Sequence, residues 1–511
     1  MTSLWKAHGR TIEGSPFDHG ARHEIVIVGA GITGLSTALI LAREGRDVAL
    51  LEAGEIAQLA TGANTGKASL LQGTRASTLR AHHPASLVRA YVDANRDGQR
   101  WLRAFCAEAG VPVVDRTAYT YAHTPAGMPD VQAEFEAARE AGLPVRMTSP
   151  ADLDGLPFPA VGAVALAGQF SIDPDAVAIA LAHAFLAAGG TLHTGVRVTG
   201  VSVLPSPRVR TEKGDVAAEQ IVLATGTPIA DRGLYFAKVS AMRSYAMAFA
   251  LPDGVEVPEG MYLSADEPAR SLRAVGESDG AIGAIRLVVG GNGHAVGRTA
   301  SEQERYDDLE RWTTAHFPGA EAVFRWSAQD YESHNRVPFI GVLPRSAGRI
   351  RFATGFAKWG LTNGPAAALR IAAEIGGVPR HDRPLWMTQI GTRLTVPADI
   401  GRGAVENAKV GAAAARGWVG ALASPVPVVR PAEGEGVVAE RGGRPVAIST
   451  VAGRTRAVSA VCPHLGGVLA WNDAECTWDC PLHASRFAAD GARIEGPAVS
   501  DLTLLRGEHE D

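Results

Sequence analysis

Gly29, Gly31 and Gly34 come directly after the β-branched run EIVIV and at the head of the apolar stretch TGLSTALILAREG, and they restrict the local chain path more than any other feature of these 511 residues. The first glycine allows a tight turn. The second lets a ligand approach bare backbone N–H groups at a helix N-terminus, and the third lets helix and strand pack closely. The next apolar run, DVALLE, ends in Glu52, whose carboxylate can accept hydrogen bonds from ribose hydroxyls. Strand, turn, helix and terminal acid in this order predict a parallel α/β unit that binds a dinucleotide, without choosing between NAD and FAD. The segment 24–42 is nearly uncharged and about as long as a bilayer span. Its three glycines within six residues suit a strand, turn and helix better than one continuous helix, so no transmembrane span is expected.

A chain of this length exceeds what one core usually supports, about 250 to 300 residues. Up to about residue 390, short β-branched runs (EIVIVG, RDVALLEAG, EQIVLATG, RLVVGG, RIRFATG) alternate with helical patterns at 86–109, 175–188 and 365–375, the texture of an α/β fold. Pro365 after Gly364 reads as a first-turn proline. Residues 396–425 are Ala/Gly-rich, end in prolines and read as a linker with room for one helix. After them VPVVRP, GVVAERGG, RPVAIST and TRAVSAVC read as short strands of a small all-β unit. The expected division is therefore 1–395, 396–425 and 426–511. Lys+Arg 49 against Asp+Glu 54, without blocks of either sign, predicts no nucleic-acid partner. Four cysteines, three of them at 462–480, are a metal-site pattern in a reducing compartment rather than a disulfide framework. With a polar N-terminus, this predicts a cytoplasmic protein. Cys106 falls on a helical face and is expected to be a buried packing residue.

Cys462-Pro-His464 and, after fifteen residues, Cys480-Pro-Leu-His483 offer one thiolate and one imidazole from each of two loops. Two cysteines and two histidines suit either a Rieske [2Fe-2S] centre, with both histidines on one iron, or a tetrahedral zinc site. The flanking sequences VCPHLGG and CPLHASRF, with the turn EGPA at 495–498, resemble the ligand loops and proline loop of Rieske domains. That resemblance implies Cys462, His464, Cys480 and His483 as cluster ligands and leaves Cys476 as a packing or surface residue. High-potential members of that family carry a disulfide between the two loops; here its places correspond to Gly467 and Leu482. Ser485 stands where those domains donate a hydroxyl to a cluster sulfur, and Phe487 where a tyrosine often adds a second donor. Hydrogen bonds to sulfur raise the potential, so a midpoint below the upper end of the Rieske range, about −150 to +300 mV, is expected.

Three further segments resemble flavoenzymes of the D-amino-acid oxidase and glycine oxidase superfamily. They are ATGANTGKASLLQG (60–73), IVLATG (221–226) and RFATGFAKWGLTNGPAAALRIAAEI (351–375), the last handing over to a helix whose N-terminus faces the flavin ring. A helix terminus there would stabilise negative charge on reduced flavin. The resemblance spans about residues 20–390 and implies FAD, held by Gly29, Gly31, Gly34, Glu52, Ala53, Thr61, Thr65, Lys67, Val198, Ala224, Thr225, Gly226, Trp359, Gly360, Leu361 and Thr362. The two halves together resemble bacterial FAD-dependent oxidoreductases of the glycine oxidase type that carry a C-terminal Rieske domain. The implied fold is an α/β Rossmann-like FAD-binding domain with an inserted α+β substrate domain, followed by a small all-β Rieske domain.

The implied activity is dehydrogenation of a C–N bond in a small amine, imino acid or N-alkyl compound. Flavin takes two electrons at once and a [2Fe-2S] cluster carries one, so the cluster offers a stepwise outlet to an external one-electron acceptor, which favours a dehydrogenase over an oxidase. Two other readings keep the cofactors: the cluster feeds the flavin from an external donor for a reductive or oxygen-activating step, or the protein senses or transfers electrons without its own small substrate. Aligning on Pro338-Phe-Ile-Gly341 puts Asp330 about where relatives grip a substrate carboxylate with arginine, with Arg336 close by. A substrate other than a simple α-amino acid is therefore expected. Lys67 and Lys358 fall in segments the family places near the flavin, where an ammonium can stabilise anionic reduced flavin. His82 and His83 read as a surface pair rather than a covalent flavin attachment.

Overall fold

The computed structural model describes residues 2–153, 156–230, 232–391, 397–427 and 429–505; the expected boundary at residues 395 and 396 lies outside them. Strand Arg22–Val28 (β1) carries Ile25, Val26 and Ile27, all fully buried. Burial on both faces is what a β-branched run without alternation demands. β1 pairs in parallel with Val48–Leu51 (β2) on one side and Gly214–Leu223 (β3) on the other, and β3 pairs in parallel with Ile350–Thr354 (β6). Helix Ile32–Arg43 (α1) connects β1 to β2 and packs against helix Gly360–Ile375 (α3). Gly29 at φ 102° has no room for a side chain, since a Cβ would lie 2.6 Å from the Ala224 carbonyl oxygen, and a Cβ on Gly34 would meet the Gly29 oxygen at 1.9 Å.

A second, nine-stranded sheet is built from segments inserted between the strands of the first. Its long strands Val239–Ala250 (β4) and Glu321–Ser333 (β5) pair antiparallel, with Ala246 opposite Trp326. Helix Ala85–Ala109 (α2) packs on α3 and buries Cys106 completely. The C-terminal unit has a three-stranded and a four-stranded antiparallel sheet, the second including Arg486–Ala488 (β7) and Arg493–Glu495 (β8). Among the described residues no helix is long and apolar enough to cross a membrane.

Two sequence expectations change, while the room left for one helix in the linker is filled. The Ala/Gly-rich linker contains one 27-residue helix, Pro397–Ala423 (α4), which its alanines favour. At its end Trp418 Nε1 donates to the Gly466 carbonyl at 3.0 Å. The stretch VPVVRP is not a strand among its described residues. Pro427 and Pro431 lack N–H donors, and its neighbour Pro425 makes only an isolated bridge to Glu440; Val428 lies outside the description. Helix α3 begins five residues before Pro365, which sits inside it. The first turn is set from outside, because Thr362 donates to Asn95 at 2.6 Å and Asn95 donates to Asn363 at 3.2 Å.

Candidate functional site

A cavity of about 740 Å³ runs from the β1–α1 turn to the face of the second sheet. Gly29, Gly31, Glu52, Ala53, Thr61, Thr65, Lys67, Val198, Ala224, Thr225, Gly226, Trp359, Gly360 and Leu361 all line it. Gly34 lies behind the turn and Thr362 behind the start of α3, so neither is in the wall. Thr362 is only 1 % exposed and is held by Asn95 and Gln72, which corrects its expected place at the cofactor. His82 and His83 are also off the cavity wall; His83 Nε2 lies 2.6 Å from the Asn335 carbonyl oxygen.

Glu52 Oε2 accepts from the Ala30 N–H at 2.7 Å and Oε1 from the Gly54 N–H at 2.9 Å. Burial raises its carboxyl above the ordinary range, against the pull of these backbone donors. Thr61 Oγ1 accepts from the Ile32 N–H at 3.0 Å, tying the loop after β2 to the first turn of α1. Bare glycine backbone, an open helix N-terminus and a terminal carboxylate fit the pyrophosphate and ribose of a dinucleotide.

At the other end of the cavity, Lys67 donates to Ser271 and is pushed down to about 7 by burial and then by Arg273. Asp330 Oδ1 accepts from the Tyr331 N–H at 2.7 Å, and Oδ2 accepts a short bond from the Lys358 N–H. Both carboxylate oxygens thus hold backbone. The turn they hold is strained, because Ala357 (φ 50°) and Lys358 (φ 74°) are successive non-glycine residues in the left-handed region. That turn leads directly into α3, whose first residue lines the cavity. Lys358 also faces the cavity, and its surroundings hold its ammonium below the usual lysine range.

In the C-terminal unit, Cys462 and Cys480 are both buried. The N–H groups of His464 and Leu465 point at the first sulfur and those of Leu482 and His483 at the second. The His464 and His483 ring centroids are 5.1 Å apart, and Phe236 from the other unit packs edge-on to both at 4.9 and 4.8 Å. Among the described residues His483 Nδ1 is buried with no hydrogen-bond partner, as an atom that ligates a metal would be. Ser485 hydrogen-bonds the Cys462 sulfur and accepts from the Ala498 N–H at 2.9 Å, while Phe487 brings no donor. A Cβ on Gly467 would lie 2.6 Å from Leu482 Cδ1, so the two residues standing at the disulfide places face each other. Cys476 is away from this pair, its sulfur 4.0 Å from the Gly434 oxygen.

Residues 24–374 match the FAD dependent oxidoreductase (DAO) family. The chain belongs to that family. Residues 425–506 match the Rieske [2Fe-2S] domain, so this FAD-dependent oxidoreductase carries both FAD and an iron-sulfur cluster. The Bacillus subtilis (strain 168) protein YhfW, named for a Rieske 2Fe-2S iron-sulfur centre, is 27% identical over 489 residues, covering 94% of this chain and 93% of its own. Glycine oxidase from Geobacillus kaustophilus superposes with a TM-score of 0.60 at 19% identity, over 74% of this chain and 100% of its own. L-amino acid deaminase from Proteus vulgaris gives 0.60 at 16% identity, over 75% and 100%. These two likenesses concern the fold.

The Rieske domain docks on the β4–β5 face through polar contacts that no local pattern announced. Arg243 on β4, with its side chain 1% exposed, reaches Asp479 at 3.1 Å and Glu475 at 3.2 Å. Ser327 donates to Glu475 at 2.6 Å, and Gln329 Nε2 donates to the Ala484 carbonyl at 3.0 Å and to the Tyr331 hydroxyl at 2.9 Å. Asp473 accepts from the Ser301 hydroxyl and from the N–H groups of Glu302 and Gln303. As a result, Arg493, Ile494, Glu495, Gly496 and Ala498 of the Rieske domain form part of the wall of the flavin cavity. WSAQDY (326–331), on β5, and EGPA (495–498) are each visible as short motifs in the sequence. That they meet at one seam is not visible there.

Proposed function

We propose that the protein dehydrogenates a C–N bond of a small amine, imino acid or N-alkyl compound, with electrons passing through the Rieske cluster to an external one-electron acceptor. The observation that carries this reading is the shared wall. The β8 strand and proline loop of the Rieske domain border the flavin cavity, and Tyr331, Gln329 and Ala484 form a hydrogen-bonded chain from that cavity to the loop bearing His483. Bound FAD would supply hydride acceptance from a C–H next to nitrogen. Relatives in fold titled glycine oxidase and L-amino acid deaminase support a nitrogen-bearing substrate.

The chain's own groups take these roles. The N-terminus of α1 with Gly29 and Gly31 would receive the pyrophosphate and Glu52 the ribose, while Gly34 lets α1 pack closely against the Gly29 turn. Cys462, His464, Cys480 and His483 would hold the cluster, the buried cysteines as thiolates and the histidines as neutral imidazoles. Asp330 is a positioning residue that holds the left-handed turn and so aims the N-terminus of α3 at the flavin site. Lys67 and Lys358 give the cavity positive groups that favour negative charge on the reduced cofactor. A cavity with Asp330 where relatives place a carboxylate-gripping arginine favours a substrate other than a simple α-amino acid.

Anaerobic screening of amines for loss of the flavin absorbance, followed by EPR of the reduced cluster, tests the reading. Bleaching followed by the reduced-cluster signal is expected. Bleaching with a silent cluster would overturn the electron route, and tight use of glycine, sarcosine or proline that is lost in Asp330→Ala would overturn the substrate class.

A further inference from the structure

We propose that Glu495, a residue of the Rieske domain, takes up the proton released at the flavin site when electrons pass from there to the cluster. The proposal rests on the flavin-to-cluster direction given above. Hydride uptake brings two electrons and one hydrogen nucleus to the flavin site. The cluster removes electrons alone, one at a time, each handed on to the external one-electron acceptor. The hydrogen therefore has to leave as a proton: its N–H bond breaks, the electron pair departs in two single steps, and the proton forms an O–H bond on the Glu495 carboxylate, which later returns it to water.

Glu495 ends β8, is 8% exposed and lines the flavin cavity. Among the described residues its side chain has one hydrogen-bond partner, the Tyr331 hydroxyl at 3.5 Å, which Gln329 fixes in turn. Among the same residues it makes no ion pair. The cations nearest to it are committed elsewhere: Arg243 from β4 to Glu475 and Asp479, and Arg486 from β7 to the same two carboxylates. Glu302 adds a further carboxyl at this seam, pushed up to about 8 by burial and by Asp479 and Asp473. Two guanidinium groups thus face four carboxyls, Glu475, Asp479, Glu302 and Glu495, and full ionisation would leave buried negative charge uncompensated.

Burial raises Glu495 to about 7, with Arg486 and Arg243 pulling it down and Asp479 pushing it up. A carboxyl poised there exchanges protons across neutral pH. Glu302 does not line the flavin cavity, so it is not placed to take up that proton. A glutamine would still accept from the Tyr331 hydroxyl, so Glu495→Gln keeps that hydrogen bond while removing the carboxylate.

The test uses the holoenzyme under anaerobic conditions, with FAD photoreduced by a deazaflavin flash and cluster reduction followed by absorbance and EPR from pH 5.5 to 8.5. For the native chain the transfer rate is expected to rise about tenfold between pH 6 and pH 8, as a carboxylate titrating near 7 becomes available. Glu495→Gln is expected to be at least tenfold slower at pH 8 with a flat profile, and Glu495→Asp to keep the slope. An unchanged profile and rate in Glu495→Gln would overturn the proposal. So would equal losses of FAD content and rate in the Gln and Asp variants with the slope intact, which would mark a structural residue. Absence of any flavin-to-cluster transfer in the native chain would overturn both this proposal and the direction of flow beneath it.

Discussion

Replacing Arg243 with methionine removes a guanidinium that the catalytic part of the chain sends into the Rieske domain. Its partners Asp479 and Glu475 are themselves almost fully buried, at 3.1 and 3.2 Å. Breaking a buried pair by deleting one partner typically costs about 3 to 5 kcal/mol, because a desolvated charge is stranded. Arg486 remains beside both carboxylates and holds the cost near the lower end, about 3 kcal/mol, or roughly a 150-fold shift in the docking equilibrium. Because the docked domain walls the flavin cavity, FAD is expected to bind more weakly by up to the same factor. Denaturant unfolding and fluorescence titration of FAD measure the two effects. Adding Asp479→Leu should return much of the loss, with a coupling energy of at least about 1.5 kcal/mol in the double-mutant cycle. Unchanged unfolding and FAD affinity in Arg243→Met, or a strictly additive cycle, would refute this account of the interface.

Ser485→Ala removes a hydroxyl from the Cys462 sulfur and is expected to lower the cluster's midpoint by several tens of millivolts, at most about 130 mV. The native midpoint, read by the same redox titration, should itself fall below the top of the Rieske range, about +300 mV, with Gly467 facing Leu482 and Phe487 bringing no donor. Asp330→Ala frees the left-handed turn at Ala357 and Lys358 and should weaken FAD binding by about 1 to 3 kcal/mol, seen as a raised Kd. Lys67 has a native pKa lowered to about 7, so its penalty to folding is full below pH 7 and is relieved as pH rises toward its unfolded value near 10.5. Lys67→Met should therefore stabilise the FAD-free protein more at pH 6 than at pH 9.5 in denaturant titrations.

The residues expected at the two cofactor sites are legible in the chain because each set is written in short-range spacing. Gly29, Gly31 and Gly34 need only a strand before them and a helix after them, and the two Cys-x-His and Cys-x-x-His loops need only to close on one another. Local pattern was weaker where neighbours decide conformation: α3 starts before Pro365 because Asn95 of α2 holds Thr362 and Asn363, and Thr362 consequently turns away from the cavity. Asp330 was visible as a charge at an unusual place, yet its task depends on backbone N–H groups at Tyr331 and Lys358, the latter 28 residues further along the chain. That the Rieske domain borders the flavin cavity becomes visible once the chain is folded. Arg243, Asp479, Tyr331 and Glu495 meet there across separations of 164 residues and more. Such a juxtaposition is set by how two folded surfaces match in shape and charge, and that leaves no periodicity or spacing in the chain.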